Sequence, residues 1–248
     1  MTANQHRPFH KPRAHGARLF LAAVLGALWS GPAAPQGAGG QAPDTMAQRM
    51  QACTVCHGKE GRATNEGYFP RIAGKPAGYL YNQLLNFREG RRHNATMAYL
   101  VEHLSDDYLR EIAQHFSTLD LPYPPAQTIG AARLQLQLGA ALVQRGDPGR
   151  GIPACVACHG QKMTGVEPAM PGLVGLPRDY VIGQLGAWRT GQRRAAEPDC
   201  MASIAKRLSP QDVSAVAAWL SSQTPPADSK PARQAKLPLP LECGSGLQ

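Results

Sequence analysis

The sequence is short of charged and aromatic side chains. Charged residues make up 17% of the 248 residues, against about a quarter in ordinary globular domains, and aromatic residues only 6%. The core must therefore be built mainly from aliphatic side chains or be completed by a bound apolar group. No segment alternates apolar and polar residues as a strand does. Glycine and proline, 26 and 22 residues, stay below the share typical of low-complexity sequence, so we expect a folded, loop-rich chain.

The sequence also lacks an apolar run long enough for a comfortable membrane span. The N-terminal run covers residues 19–29, with four basic residues before it and the small-residue stretch 30–40 after it. This order is typical of a secretory signal. We therefore predict a signal peptide and cleavage region at 1–42, with the remaining chain exported to the periplasm. An uncleaved anchor, giving membrane association through residues 19–29, is the alternative.

Two short motifs contain four of the six cysteines. Residues 53–57 read Cys-Thr-Val-Cys-His and residues 155–159 read Cys-Val-Ala-Cys-His, the pattern of c-type haem attachment. Two thiols one helical turn apart can each form a thioether with a porphyrin vinyl group, and the following histidine then ligates the iron. Redox and zinc sites share the cysteine spacing, but two copies with a trailing histidine in an exported chain favour haem. The predicted residues for two covalently bound haem c groups are Cys53, Cys56 and His57, and Cys155, Cys158 and His159.

The sequence around the motifs occurs twice. Residues 79–92 match residues 180–193 at an offset of 101, and residues 70–74 match 171–175 at the same offset. The chain is therefore a duplication of one unit. The matched pairs in the longer stretch are Tyr79/Tyr180, Gln83/Gln184, Leu84/Leu185, Phe87/Trp188, Arg88/Arg189, Gly90/Gly191 and Arg92/Arg193.

Each copy has the pattern of a small helical unit. A helix is predicted before each attachment motif, an amphipathic helix in the matched stretch, and a final helix capped by Ser105 or Ser209. A unit of this size would be marginally stable alone, and a covalently held macrocycle can supply the missing core. We predict an all-α chain with a first unit at 43–121, a proline-rich linker at 122–127, a second unit at 128–224 and a proline-rich tail at 225–248.

The second axial ligand of each iron separates an electron carrier from a catalyst, because an open coordination position allows substrate chemistry. The repeat nominates Met97 and Met201, each of which precedes a capped final helix. A thioether is a soft, neutral ligand that raises the reduction potential. His93 and His103 would give a bis-histidine site of lower potential, but they have no counterpart in the second unit. We therefore predict His/Met ligation of both irons.

Arginines follow the matched helix in both units. Arg88 and Arg189 recur singly and in register, and the pairs at 91–92 and 193–194 come after them. A solvated helix end is one interpretation, since cations suit the negative end of the helix dipole. The other is that some of these arginines hold haem propionates. Arg88 and Arg189 are then the preferred candidates.

These motifs resemble those of the cytochrome c4 family over roughly residues 46–223. The matching pieces are both attachment motifs, the Pro-x-Leu/Ile-x-Gly turn, the helix best preserved at 79–90, and the methionine followed by a Leu-Ser helix start. The resemblance implies two tandem class I cytochrome c domains, each wrapped around one haem with His/Met ligation. It also implies a carrier of single electrons from a respiratory reductase or dehydrogenase to a terminal oxidase. The alternative is a fixed cytochrome subunit of a periplasmic dehydrogenase complex.

Two cysteines, Cys200 and Cys243, lie outside the attachment motifs and depart from the family pattern. Leftover cysteines in an exported chain are expected to pair. Such a bridge would fix the tail across the loop that contains Met201. The competing interpretation is a Cys200 thiolate that binds iron or sulfur compounds, which would make the protein a thiosulfate-handling haem enzyme.

The net charge and its distribution along the chain indicate which class of partner binds this protein. The formal net charge is +9, but four basic residues lie in the predicted signal, and 22 basic and 17 acidic residues follow it. Residues 44–122 contain nine of each sign, whereas residues 126–224 contain ten basic and six acidic residues. This excess is too small and too dispersed for nucleic acid. We predict redox protein partners with an acidic docking surface, no nucleic acid, no small-molecule substrate and no catalytic residues.

Overall fold

The computed structural model describes residues 44–63, 68–233 and 239–246. The predicted signal peptide at 1–42, including the apolar run at 19–29, lies outside the described residues. Within the described ranges, no helix combines the length and the apolar character needed to cross a membrane.

The first unit is helical. Side chains cap three of its helices: Thr45 accepts a hydrogen bond from the Gln48 amide, Asn94 accepts one from the Met97 amide, and Ser105 accepts one from the Tyr108 amide. The cap at Ser105 confirms the sequence prediction. The α-helices of this unit are α1 (Met46–Arg49), α2 (Gln51–His57), α3 (Ala77–Arg88), α4 (Ala95–Val101) and α5 (Asp106–Ser117), and a 3-10 turn at Lys59–Gly61 follows α2.

The second unit repeats the order of the α-helices, but its 3-10 turn, at Pro148–Arg150, precedes the helix of the attachment motif, and a short hairpin follows that helix. Ser209 and Asp212 form a capping box at the start of its last helix, and Pro210 occupies the first turn, as predicted. Two strands of two residues each, β1 (Gly165–Val166) and β2 (Met170–Pro171), pair antiparallel. They are too short for a strand pattern to show in the sequence. The α-helices of this unit are α6 (Arg133–Arg145), α7 (Val156–His159), α8 (Arg178–Thr190), α9 (Cys200–Arg207) and α10 (Pro210–Ser222).

Each unit has its own hydrophobic cluster. The first is centred on Leu109 and Phe116 of α5, and the second on Val216 and Leu220 of α10. Helix α10 packs closely on α6 at Gly139, where a Cβ atom would lie 2.2 Å from the carbonyl oxygen of Ala215. Glycine is therefore required there by the approach of the two helices. Residues 119–132, which include the predicted linker, form no helix or strand.

The two units contact each other along an antiparallel backbone bridge. The His93 amide donates to the carbonyl of Gln192 at 2.9 Å, and the Arg194 amide donates to the carbonyl of Arg91 at 2.7 Å. This bridge aligns the ends of the matched helices α3 and α8. It brings equivalent positions of the duplicated sequence face to face.

A C-terminal strap, residues 239–246, returns to the second unit. A disulfide joins Cys243 of the strap to Cys200 of α9, which confirms the predicted pairing. The Asn82 side chain, which belongs to α3, donates to the carbonyl of Ser245 at 3.0 Å. The strap therefore contacts both units.

Candidate haem sites

A cavity of about 850 Å³ extends through both units and is lined mainly by apolar side chains. Both attachment motifs and both candidate methionines reach it. The predicted site residues at its wall are Cys53, Cys56, His57 and Met97 from the first unit, and Cys155, Cys158, His159 and Met201 from the second.

The attachment motifs end their helices at the histidine. Helix α2 ends at His57 because Gly58 follows with φ +74°, and α7 ends at His159 because Gly160 follows with φ +83°. A Cβ atom at Gly58 would lie 2.3 Å from the carbonyl oxygen of Ala63, so this turn requires glycine. The motif cysteines are not in disulfides. Before a haem is attached, burial raises the pKa of the Cys155 thiol to about 11; in the thioether that attachment forms, this sulfur no longer titrates.

Both histidines are oriented by a backbone carbonyl. Nδ1 of His57 donates to the carbonyl of Pro70, and Nδ1 of His159 donates to that of Pro171, each at 2.8 Å. A carbonyl can only accept, so Nδ1 carries the proton and the Nε2 lone pair is free to bind a metal. Burial lowers the pKa of both imidazoles, which favours the neutral form that ligation requires. Pro70 and Pro171 recur in the sequence repeat. Their role in orienting the histidines could not be predicted from it, because that role depends on the direction of each backbone carbonyl.

Capped helix starts position the two methionines. The Met97 amide donates to the Asn94 side chain at 2.9 Å at the start of α4. In the second unit, the buried carboxylate of Asp199 accepts from the amide of Ala202 at 2.9 Å, which fixes the turn containing Met201. Both methionine side chains pack against the cluster of their own unit. A Met thioether and a His Nε2 at the wall of one cavity form a donor set that suits haem iron.

The two alternative histidine ligands differ in position. His103 is exposed and lies 3.2 Å from a carboxylate oxygen of Glu102, and it does not line the cavity. His93 is exposed at the cavity wall, beside the bridge between the units.

The structure places neither Arg88 nor Arg189 at the cavity. Arg88 turns toward α5, where it donates to the carboxylate of Asp106 at 2.5 Å and to the carbonyl of Leu104 at 2.8 Å. Arg189 is exposed in the last turn of α8. Neither side chain lines the cavity, and the role of these two arginines as propionate partners stays a prediction.

Arg92 and Arg193 are the members of the arginine pairs that reach the cavity. Arg193 is 4% exposed, and neither arginine has a salt bridge to a described carboxylate. Buried cations need a counter-charge, and the propionates of a haem would supply it through charge-assisted hydrogen bonds. The guanidinium bonds to the matched glutamines are Arg92 to Gln83 (3.0 Å) and Gln184 (2.8 Å), and Arg193 to Gln184 (2.6 Å) and Gln83 (2.9 Å).

The disulfide determines whether Cys200 can offer a free thiolate. Its sulfur is bonded to Cys243, with the two Cα atoms 5.1 Å apart. A sulfur in this state offers no thiolate to an iron or to a sulfur substrate. The structure therefore gives no support to an enzyme that uses Cys200.

Known proteins resemble this chain along most of its length, although no family model matches it. A thiosulfate dehydrogenase electron acceptor from Thiomonas intermedia is 36% identical over 208 residues, which cover 83% of this chain and 91% of that protein. Cytochrome c4 from Pseudomonas aeruginosa is 32% identical, over 81% of this chain and 94% of that protein.

Solved structures agree in fold. Reduced cytochrome c4 from Pseudomonas stutzeri has a TM-score of 0.62 and 27% identity, over 71% of this chain and 95% of that one. A thiosulfate dehydrogenase from Marichromatium purpuratum has a TM-score of 0.61 and 32% identity, over 68% of this chain but only 36% of that one.

The fold and the cavity together define a di-haem c-type cytochrome made of two tandem class I cytochrome c domains. Its two haem c groups are bound covalently, and it transfers electrons. The chain belongs to the cytochrome c4 family.

Proposed function

We propose that each unit attaches one haem through its own motif and ligates the iron with its own histidine and methionine. The observation that carries this assignment is the pair of Nδ1 hydrogen bonds to Pro70 and Pro171, which leave Nε2 free in a cavity that also contains the methionines. The proposed sets are Cys53, Cys56, His57 and Met97 for the first haem, and Cys155, Cys158, His159 and Met201 for the second.

When bound, each haem supplies an iron that gains and loses one electron. The chain's residues hold it in one coordination state. The carbonyls of Pro70 and Pro171 keep the imidazoles in one orientation, and the methionines fill the position where a substrate would otherwise bind. Apolar residues of the two clusters exclude water. This arrangement suits electron transfer without catalysis.

Replacing one ligand at a time tests the assignment. Met97→Ala should abolish the methionine-to-iron charge-transfer band of one haem, and Met201→Ala that of the other. Met50→Ala is the matched control, because Met50 is buried in the first cluster and is not in the proposed set. Two complete bands in either ligand variant would contradict the assignment.

We propose that the physiological electron donor is a thiosulfate dehydrogenase in the periplasm. Support comes from the identity of 36% and 38% to two proteins named as electron acceptors of thiosulfate dehydrogenase. Oxidative coupling of two thiosulfate ions to tetrathionate releases two electrons, one for each haem. In the general form of this carrier role, a respiratory reductase donates the electron and a terminal oxidase accepts it.

Anaerobic stopped-flow mixing tests the donor. The oxidised protein is mixed with a thiosulfate dehydrogenase and thiosulfate, and reduction of both haems is followed by absorbance. We expect full reduction that depends on both the enzyme and thiosulfate. Reduction no faster than in the mixture without enzyme would contradict the proposal. Co-elution of a complex that persists at high salt would instead favour a fixed subunit.

We also propose that the second unit docks on an acidic surface of the partner. Charge pairing differs between the units. In the first unit five arginines have carboxylate partners, namely Arg49 with Asp44, Arg62 with Glu60, Arg88 with Asp106, Arg91 with Glu89 and Arg110 with Asp107. In the second unit seven exposed cations form no salt bridge with a described carboxylate, namely Arg133, Arg145, Lys162, Arg189, Arg194, Lys206 and Arg207.

Unpaired exposed cations attract an acidic partner over distances that salt screens. Lys206→Glu and Arg207→Glu should each slow reduction by the partner several-fold at low ionic strength. Arg110→Glu, on the first unit, is the matched charge control and should have little effect. Rates that do not depend on salt, or an equal effect of all three variants, would contradict docking through the second unit.

A further inference from the structure

Lys75 is a buried cation that links the two units. It lies in the loop before α3 and is 4% exposed. Its Nζ atom donates to the carbonyl of Gly172, in the second unit, at 2.8 Å, and lies 3.4 Å from the Tyr123 hydroxyl. No described carboxylate forms a salt bridge with it. The ammonium charge is therefore held by neutral oxygen atoms away from bulk water.

This ammonium group lies beside the proximal side of the second haem site. Gly172 directly follows Pro171, whose carbonyl accepts the hydrogen bond from Nδ1 of His159. Lys75 also lines the haem cavity. A residue of the first unit thus places a positive charge one residue from the group that orients the ligand of the second haem.

The first haem site has a buried cation of its own, because Arg71, which is 6% exposed, directly follows Pro70, whose carbonyl accepts the hydrogen bond from Nδ1 of His57. The Arg71 guanidinium donates to the carbonyls of Ala73, Leu121 and Pro122 and does not reach the second unit's attachment motif. At the offset of 101, the position that corresponds to Lys75 is Leu176, a buried apolar residue of the second cluster. The cavity arginines Arg92 and Arg193 occur once in each unit, so they do not distinguish the haems. Lys75 is a departure from the repeat at the junction of the units.

We propose that Lys75 raises the reduction potential of the second haem. Reduction adds one electron to the ferric iron and lowers the charge of the site by one, which a fixed neighbouring cation stabilises. The inference rests on the proposed ligation of each haem by the histidine and the methionine of its own unit.

Redox titration of charge variants tests this role. Lys75→Gln removes the charge but keeps a hydrogen-bond donor. Lys75→Met, which is used if Lys75→Gln folds poorly, also removes the charge and keeps a buried aliphatic side chain of similar length. Lys75→Arg keeps the charge, and Lys206→Gln removes an exposed charge from the second unit. Each change is made in the wild-type chain and with Met97→His, which should lower the first potential and separate the two steps.

We expect Lys75→Gln and Lys75→Met to weaken reduction of the second haem about tenfold, which for one electron is a shift of about 59 mV. The first potential should stay in place, and Lys75→Arg and Lys206→Gln should leave both nearly unchanged. Equal shifts of both potentials, or no shift of the second, would overturn the inference. A wrong ligand assignment gives a different result from a wrong inference about Lys75. In that case Met97→His changes neither reduction potential in the chain that retains Lys75.

Discussion

The disulfide between Cys200 and Cys243 should contribute a large part of the stability of the second unit. It joins α9 to the C-terminal strap across a sequence separation of 43 residues. The perturbation is the double variant Cys200→Ser with Cys243→Ser. This variant leaves the rest of the strap sequence intact but removes the covalent closure.

The loop length gives the expected magnitude. On the chain-entropy model, closing a loop of this length lowers the entropy of the unfolded chain by an amount worth about 4 kcal/mol at 25 °C. The strap also has non-covalent contacts, such as the Gly244 amide to the carbonyl of Pro198 at 3.0 Å and Asn82 to Ser245 at 3.0 Å. A single such hydrogen bond contributes about 1 kcal/mol. The covalent closure therefore outweighs either contact.

Equilibrium unfolding in guanidinium chloride measures the difference. The fluorescence of Trp188 and Trp219 follows the second unit, and haem absorbance gives an independent signal. We expect the double variant to lose about 4 kcal/mol of unfolding free energy. Its slope against denaturant should increase, because the unfolded chain without the cross-link is less compact and exposes more surface. Asn82→Ala, which removes one strap contact and keeps the disulfide, should lose about 1 kcal/mol.

One result would refute this reasoning. Mass spectrometry of the denatured, unreduced wild type first establishes that the two thiols are blocked. If the double variant then loses no more unfolding free energy than Asn82→Ala, the closed loop does not restrict the unfolded chain as the model assumes.

Three further predictions concern the second unit. Ser209→Ala removes the cap of α10 and should lower the unfolding free energy by about 1 kcal/mol, measured by denaturant titration. Gly139→Ala should cost about 1–3 kcal/mol because its Cβ would meet the backbone of α10, whereas Gly186→Ala, with open space around it, should stabilise α8 by up to about 1 kcal/mol. Burial alone would raise the pKa of Asp212, but hydrogen bonds from Arg150 and Ser209 lower it below its ordinary value. Its contribution should therefore be present at neutral pH and lost as pH falls below about 4, and Asp212→Asn should flatten that part of the stability profile.

Local features were predictable from the sequence because they depend on neighbouring residues. The caps at Ser105 and Ser209 require only a hydroxyl side chain at a helix start, and the structure contains both. The disulfide followed from counting cysteines in an exported chain. The attachment motifs carry their spacing within five residues, and the cavity contains them as expected.

The directions of the arginine side chains could not be predicted from the sequence. Arg88 and Arg92 are four residues apart, but Arg88 is the last residue of α3 and bonds to Asp106 of α5, whereas Arg92 follows the helix and lies in the bridge between the units. The sequence repeat marks both as recurring positions and cannot distinguish them. Their directions depend on how the two copies face each other, which no single copy encodes.

The departures from the repeat identify where the two haem environments differ. The guanidinium carbon of Arg92 lies 4.6 Å from the ring centroid of Phe87, whereas that of Arg193 lies 3.8 Å from the ring centroid of Trp188. Tryptophan binds cations more strongly than phenylalanine. Lys75 adds a charge on the proximal side of the second site, 97 positions along the chain from the carbonyl that it binds. An exact duplication would give two sites of equal potential and no preferred direction for the electron. Arg71 and Lys75 both break the repeat with a buried charge at the cavity. A difference between the two reduction potentials should therefore depend on such residues, and substituting Lys75 measures its share.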